Sequence, residues 1–393
     1  MILTPICFNG SNLSIKESPV FTRRVYVLVA ITIAALVISL LGPSMAATAA
    51  KPTPPPPTPT PGAPQPLQIY GAWHCGNDSC LWATVRNITE FDSMNHWLID
   101  RGNGLPSVNV VVLSFVNPLK LLNKTNDAGT VNGVPRGITP EIVNYFKSRG
   151  IRVMLSIGGI TFVNDWNTAL ATDPTQFGLN AAEVAQNLGV GIEIDYEENN
   201  SPNLTGLQAF ITAYRSVLPY DATGSNHAKR LTIDLGAGNR WLVPLNQKAS
   251  ADWLNTTKPP VLDYANAMVA ARPDTDPATV TARWNEHISG YLQTVPLAPA
   301  KLTGSLWLQY RTALPECVNF NSSLQKSTGP YVQTVAPQGT GSTAGMLGFM
   351  FWAAEVEGTR TITTQPPNTC ENGMGGAAGY YNIPIPMPAL RQQ

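Results

Sequence analysis

The sequence of 393 residues contains little charge. Lys, Arg, Asp and Glu make up 13% of it, about half the share of an average soluble domain, and the formal net charge is zero. A chain of this kind lacks the basic surface that nucleic-acid binding requires, so we expect no nucleic-acid partner. Low charge together with many Asn, Thr, Gly and Trp residues favours an exported protein that handles neutral ligands.

Histidine is also scarce, and the four histidines lie far apart in the chain. Neither they nor the cysteines show the spacing of a zinc site. We therefore expect no metal and no cofactor. The histidines are His74, His96, His227 and His287.

Cysteine occurs five times, and Cys7 lies in the N-terminal segment, residues 1–50. The remaining four form an even number in a chain that we expect to be exported, which indicates disulfides. Three pairings are possible. We favour Cys75–Cys80, which closes a short loop, with Cys317–Cys370, which ties two distant loops; four free thiols are the alternative.

The N-terminal residues 1–50 have the layout of a secretory signal. Arg23 and Arg24 precede an apolar run over residues 25–41, and small residues follow, with a cleavage site expected near Ala46 or Ala49. A run of about 17 residues is also at the short limit for a membrane span. The protein is therefore predicted to be secreted, with an outward-facing membrane anchor as the alternative.

Residues 51–66 are rich in proline and threonine. Proline at this density excludes helix and sheet and favours extended polyproline II, about 50 Å long if fully extended. We interpret the segment as a semi-rigid spacer, with a possible tether to the cell envelope on its N-terminal side. Residues 67–393 then form the folded domain. Without residues 1–50 the chain has 22 basic and 24 acidic residues.

Strand-like apolar runs alternate with helical patterns through the folded part. The predicted strands are 67–73, 108–116, 151–157, 190–196, 231–236, 261–269, 302–308 and 346–352. The predicted helices are 88–101, 139–149, 180–188, 204–218 and 277–292. Eight strands in strand–helix alternation predict an α/β fold, a (β/α)8 barrel with its site at the carboxyl ends of the strands. A doubly wound open sheet is the rival, but the glycine-rich phosphate loop typical of that fold is absent after the first strand.

The fourth predicted strand carries the most informative pattern, Gly191-Ile192-Glu193-Ile194-Asp195-Tyr196-Glu197-Glu198. Residues two apart share a face of a strand, so Glu193, Asp195 and Glu197 project from one side. Carboxylates in a file on a buried strand repel one another and resist desolvation, and the usual use of such strain is to keep one carboxyl protonated. A solvated edge strand is the alternative interpretation.

In a barrel, Glu197 would lie nearest the open end and the deeper acids would raise its affinity for a proton. This predicts a general acid for cleavage of a glycosidic bond. No second carboxylate is apparent in a facing position in the sequence. That gap favours a reaction in which the substrate supplies its own nucleophile.

These residues resemble the signature of glycoside hydrolase family 18, the family of chitinases and endo-β-N-acetylglucosaminidases. The family pattern D-G-x-D-x-D-x-E corresponds to residues 190–197, with Val190 and Glu193 in place of two aspartates. By this resemblance Glu197 is the acid, and Asp195 orients the substrate acetamido group and stabilises an oxazolinium intermediate. Glu193 lies below them as the third acid.

The resemblance extends over residues 67–357 and implies further site residues. The third-strand pattern S-x-G-G is present as Ser156, Gly158 and Gly159, and the family's eighth-strand tryptophan is Trp352. Residues from other strands also fit a sugar-binding role, namely Tyr70 and Trp73 on the first strand, Phe115 on the second and Met268 on the sixth.

One departure from the family concerns the end of the sixth strand. The family commonly has M-x-Y-D there, and this chain has Met268-Val269-Ala270-Ala271, without the tyrosine and the aspartate. Loss of one preorganised donor can cost about 10²–10³ in rate. From its position, Tyr310 is our candidate to replace the missing hydroxyl.

The resemblance implies a chitinase that cleaves N-acetylglucosamine polymers with a substrate-assisted, retaining mechanism, and we expect a monomer. Only about 36 residues separate Leu308 from Gly345, too few for the α+β insertion of some relatives, so we expect an open cleft and endo-action. N-glycan cores are the alternative substrate. A carbohydrate-binding lectin without activity is the alternative from another functional class.

Overall fold

The computed structural model describes residues 68–74, 82, 87–100, 104, 106, 108–238, 241–268, 277–307 and 346–352. The predicted signal segment, the proline-rich linker, all five cysteines and the segment between the last two predicted strands lie outside these residues. No helix in the described part of the chain is long and apolar enough to cross a membrane.

Eight parallel strands close into a barrel, in which each strand pairs with its neighbours in chain order and the last pairs with the first. The barrel predicted from the sequence is confirmed, and each predicted strand is present within a few residues at its ends. The strands are β1 Ile69–His74, β2 Val110–Val116, β3 Arg152–Gly158, β4 Gly191–Asp195, β5 Leu231–Gly236, β6 Ala265–Met268, β7 Leu302–Trp307 and β8 Gly348–Trp352.

Helices connect the strands on the outside of the barrel. They are α1 Ile88–Ile99, α2 Pro118–Leu122, α3 Pro140–Lys147, α4 Val163–Thr172, α5 Pro174–Leu188, α6 Leu204–Val217, α7 Val243–Lys248 and α8 Pro277–Ser289. A π-helical turn follows α7 over Ala249–Trp253, and short 3-10 turns lie at Ile160–Phe162, His227–Lys229, Tyr291–Gln293 and Pro299–Lys301. A small hairpin pairs Thr130–Val131 with Val134–Pro135.

The start of α5 differs from the prediction of a helix over 180–188. The helix begins at Pro174, where proline costs no hydrogen bond, and the Asp173 side chain accepts a hydrogen bond from the Gln176 amide at 2.9 Å. The pair Asp173-Pro174 is thus a helix start signal that is visible in the sequence, six residues before the predicted start at 180. The helix ends at Gly189, whose left-handed conformation stops it directly before the acidic strand.

Two hydrophobic layers follow from the alternation of side chains along the strands. The larger layer lies between the barrel and its helices, and it contains the outward side chains of β4, Ile192 and Ile194. The smaller one fills the barrel interior and consists of Ile69, Trp73, Val110, Val112, Met154, Tyr264, Leu347 and Met350. The buried acids of β4 lie on this interior side, which excludes the solvated edge strand.

Candidate active site

Four carboxylates cluster at the carboxyl half of the barrel interior. Glu193 and Asp195 lie on β4, Glu197 follows two residues after the strand, and Asp234 lies on β5. All four side chains are buried, from 0% exposed for Glu193 to 7% for Glu197. The depth along β4 therefore follows the order predicted, with Glu197 next to the open end.

Tyr196 determines which way the end of β4 faces. Its ring is buried outside the barrel, its hydroxyl donates to Oδ1 of Asn167, and the same oxygen accepts from the Asn203 amide at 2.9 Å. Since neighbouring residues of an extended chain point to opposite sides, this anchor holds Glu197 on the interior side.

Glu193 accepts hydrogen bonds at both carboxylate oxygens. The Trp73 indole donates to Oε1 at 2.8 Å, and the Asn266 amide donates to Oε2 at 2.6 Å. Asn266 is held in this orientation because its own Oδ1 accepts from the Thr303 hydroxyl at 2.6 Å. Burial raises the pKa of Glu193 to about 7, and the hydrogen bonds oppose a larger shift.

Asp234 is the functional residue that the sequence interpretation missed. Ile194 pairs with Ile233, so the next residues on the two strands, Asp195 and Asp234, lie side by side in the interior. Burial raises the pKa of Asp234 well above its usual range, and repulsion from Glu193 and Asp195 adds to the effect. The pKa of Asp234 is therefore shifted in the direction that favours its protonated, neutral form. The alternation Leu231-Thr232-Ile233-Asp234 was the signal that could have found it.

Asp234→Asn is expected to change how stability depends on pH. In the wild type, Asp234 holds its proton to a higher pH in the folded state than in the unfolded state, where it loses it near pH 4, so folding becomes less favourable as the pH rises above 4. The slope is at most about 1.4 kcal/mol per pH unit for one group. Asparagine cannot ionise, so the stability advantage of the wild type over the variant should fall as the pH rises above about 4 in urea unfolding.

Asp252→Asn is the matched control for this measurement. Asp252 is half-buried, and its hydrogen bonds to Lys248 and Lys258 lower its pKa. Asp252 is ionised in the folded and unfolded states above pH 5, so the difference between its variant and the wild type should not vary there. A difference for Asp234→Asn that is equally flat above pH 5 would contradict a raised pKa of Asp234.

Gly158 packs directly against the backbone of Asp195. A Cβ atom at Gly158 would lie 1.9 Å from the Asp195 carbonyl oxygen, and its φ of +122° is rarely adopted by other residues. The same carbonyl accepts from the Trp166 indole at 3.0 Å and from the Gly159 amide at 3.0 Å. The third-strand motif thus positions the end of the acidic strand.

Three other predicted site residues, Ser156, Phe115 and Met268, lie on β3, β2 and β6. Ser156 is fully buried and pairs in register with Glu193. Phe115 is half-buried at the end of β2, with its ring 3.0 Å from the Cβ position of Gly159. Met268 is half-buried at the end of β6. Their contact with a sugar remains a prediction.

Tyr70 is not brought to the carboxylates. It is fully buried in the layer between barrel and helices, on the face of β1 opposite to Trp73. Trp73 is the aromatic residue of this strand that reaches Glu193. Tyr310 and the side chain of Trp352 lie outside the described residues, although the backbone of Trp352 pairs with Trp73 and Trp307.

Tyr264 does not supply the hydroxyl that the end of β6 lacks. It is buried low in the barrel interior, and its hydroxyl donates to Sδ of Met154 at 3.8 Å. Ala270 and Ala271 lie outside the described residues. Within the part of the chain that the structure describes, no group of three or more His, Cys, Asp or Glu residues has an arrangement that could hold a metal ion.

Comparison with known proteins finds similarity in structure only. No family model matches the sequence, and no curated protein matches it. A family 18 chitinase from Pseudoalteromonas aurantia shares 14% identity over 72% of this chain and 93% of its own, with a TM-score of 0.47.

Two fungal chitinases give similar values. The chitinase from Rhizomucor miehei has 16% identity over 74% of this chain and 95% of its own, with a TM-score of 0.44. That from Aspergillus fumigatus has 14% identity over 74% and 94%, with a TM-score of 0.44. At these identities the likeness concerns the fold, so function has to be argued from the side chains.

Proposed function

We propose that this protein is a chitinase-like glycoside hydrolase that cleaves the β-1,4 bond after an N-acetylglucosamine residue of chitin. The observation that carries the proposal is the file of carboxyl groups on β4, with Glu197 at the carboxyl end of a closed barrel. This end of a (β/α)8 barrel is where substrates bind, and a buried acid there can donate a proton. Export of the protein, with or without an anchor, is part of the proposal.

In the first step, Glu197 protonates the oxygen of the leaving sugar. The acetamido oxygen of the substrate attacks the anomeric carbon as the glycosidic bond breaks, which produces an oxazolinium ion. Asp195, beside the reacting sugar, hydrogen-bonds the acetamido nitrogen and balances the positive charge of that ion. In the second step, Glu197 accepts a proton from water, and the water opens the oxazolinium with net retention at the anomeric carbon.

Asp234 does not serve as the nucleophile in this scheme, although it lies on β5, next to the acidic strand. A raised pKa disfavours the ionised, nucleophilic form of its carboxyl group, and its side chain is 3% exposed, close to Asp195 at 4% rather than to Glu197 at 7%. The neutral form that the raised pKa favours would reduce the negative charge around Asp195.

The test is incubation of the purified protein with chitin oligomers, a high-mannose glycopeptide and cello-oligomers of equal length. Chitin oligomers should be cleaved internally and should first yield the β-anomer by NMR. Cello-oligomers lack the acetamido group, so they should remain intact. Cleavage of cello-oligomers at a comparable rate would exclude the substrate-assisted mechanism, and cleavage of the glycopeptide alone would replace chitin with N-glycans as substrate.

The second candidate function is a carbohydrate-binding protein without turnover. The sequence observation that favours it is Ala270 and Ala271, where the family has a tyrosine and an aspartate at the end of the sixth strand. The same incubation separates the two. Saturable binding of chitin oligomers without any product would favour the lectin.

A further inference from the structure

A second cluster of charge lies at the opposite, N-terminal end of the barrel, below the acidic strand. It contains the cationic side chains of Lys147, Arg152, Arg215, Arg230 and Lys301. Among the described residues, the acids that act on this cluster are Asp263, which binds Arg215 and Arg230, and Asp221, whose carboxylate accepts from the Thr223 and Asn226 amides. The cationic side chains named here therefore outnumber these acids.

Two of these cations are buried with incomplete hydrogen bonding. Arg152 is 1% exposed and Arg230 is 2% exposed. Arg152 donates from Nη2 to the Gly224 carbonyl at 3.0 Å, and Arg230 donates from Nη1 to Asp263. Among the described residues, Nε and Nη1 of Arg152 and Nε and Nη2 of Arg230 have no hydrogen-bond partner. Buried guanidinium groups with unused donors are costly unless something negative compensates them.

Gly189, which ends α5, and Gly191, the first residue of β4, have no side chains and so leave room at this end of the acidic strand. A Cβ at Gly191 would lie 2.8 Å from Cβ of Arg230 and 3.0 Å from Cε of Met154. A Cβ at Gly189 would lie 2.8 Å from Nζ of Lys147, which donates to the Gly189 carbonyl at 3.2 Å. The side chains of Lys147 on α3, Met154 on β3 and Arg230 before β5 thus converge at two glycine positions, where no other side chain competes for the space.

An open cavity of about 440 Å³ faces this point. It is lined by Lys147, Gly189, Ser225, Asn226, His227 and Ala228. Two hydrogen bonds connect the lining to the buried arginines: Arg152 donates to the carbonyl of Gly224, the residue before Ser225, and the Arg230 amide donates to the His227 carbonyl at 3.1 Å. Burial, followed by the positive charges of Arg152, Lys147 and Arg230, lowers the pKa of His227 to about 4. The cavity therefore combines two accessible nitrogen donors with a buried positive field behind them.

We propose that this cavity binds a small tetrahedral oxyanion of the phosphate and sulfate class, held by Lys147 and His227 in front of Arg152 and Arg230. An oxyanion accepts several hydrogen bonds at once and compensates charge that the protein's own acids leave unbalanced. The site is at the end of the barrel opposite to the carboxylates, so it is independent of the proposed hydrolase activity.

The test is calorimetric titration of the purified full chain with inorganic phosphate, sulfate and glycerol phosphate at constant ionic strength. We expect saturable binding of phosphate and sulfate with one ion per chain. Glycerol phosphate distinguishes the sources, because its binding would indicate that the site takes an ester group on a larger molecule, whereas its exclusion would indicate the free ion.

Two variants locate the site, and two others are controls. Lys147 and His227 are half-buried, so Lys147→Gln and His227→Gln leave the buried arginines in place. Each substitution should weaken phosphate binding about tenfold or more. Lys124→Gln removes an exposed lysine that pairs with Glu183 elsewhere, and it should bind like the wild type. Glu197→Gln should also bind phosphate normally, which keeps this result separate from the hydrolase proposal.

Absence of saturable binding to the wild type would overturn the proposal. Equal weakening in Lys124→Gln and Lys147→Gln would overturn it too, since the effect would then reflect general charge. Retained binding in both Lys147→Gln and His227→Gln would exclude this cavity as the site.

Discussion

Glu197→Gln is expected to lower kcat on chitin oligomers by about 10²–10⁴-fold, with little change in their binding. Glutamine has the size of glutamate but has no proton of suitable acidity for the leaving oxygen. The side chain is buried at the end of β4, where Tyr196 anchors the neighbouring backbone, so the substitution leaves its surroundings in place. The loss should appear in kcat rather than in Kd, because the proton moves only in the transition state.

Glu198→Gln provides the control from the next position in the chain. Glu198 lies outside the cluster, where its carboxylate accepts from the Asn167 side chain at 3.1 Å and from the Asn200 amide at 2.8 Å. This variant should retain most of the wild-type rate. Hydrolysis by Glu197→Gln at the parent rate would refute the assignment of the acid, and an equal loss in both variants would indicate disturbance of the loop instead.

Gly158→Ala is expected to cause the largest loss of stability among the substitutions considered. The added Cβ would lie 1.9 Å from the Asp195 carbonyl oxygen and 2.2 Å from the Trp166 indole nitrogen. Both neighbours belong to the packed interior and are fixed by their mutual hydrogen bond. Backbone strain of about 1–3 kcal/mol and overpacking of similar size should together lower the free energy of unfolding by about 3 kcal/mol or more.

Gly104→Ala separates the two contributions. Gly104 has a φ of +79°, and no heavy atom of the described part of the chain lies within 4 Å of its Cβ position, so only the backbone contribution applies there. Urea unfolding of both variants should therefore show a clearly larger loss for Gly158→Ala. Folded protein that remains should also lose activity, because the clash displaces the strand end that carries Asp195 and Glu197. Similar losses in the two variants would mean that the contact with β4 is unimportant.

Much of the fold could be predicted from the sequence because the signals are local. The alternation of apolar residues in 231–236 and the Pro140 and Gly150 boundaries of α3 are readable from a few neighbours along the chain. The side of β4 that carries its acids follows in the same way, since the period of a strand is two. The start of α5 is a local signal of the same kind, because Asp173 caps the helix and Pro174 is its first residue.

The pairing of carboxylates was decided by tertiary structure. Asp234 is 39 residues from Asp195 in the chain, and only the register of β4 with β5 places the two acids side by side. Tertiary structure also decided which aromatic residue of β1 faces the barrel interior. Trp73 and Tyr70 both have strand propensity, and only closure of the barrel places Trp73 against Glu193 and Tyr70 against the helices.

The sequence by itself thus determined the eight strands and the acidic file, both of which depend on periodicity over a few residues. Tertiary structure decided the pKa shifts within the cluster and the convergence of cations beneath it. Charge interaction depends on distance in space and on exclusion of water, and residues as far apart as Trp73, Glu193 and Asn266 acquire both only when the barrel closes.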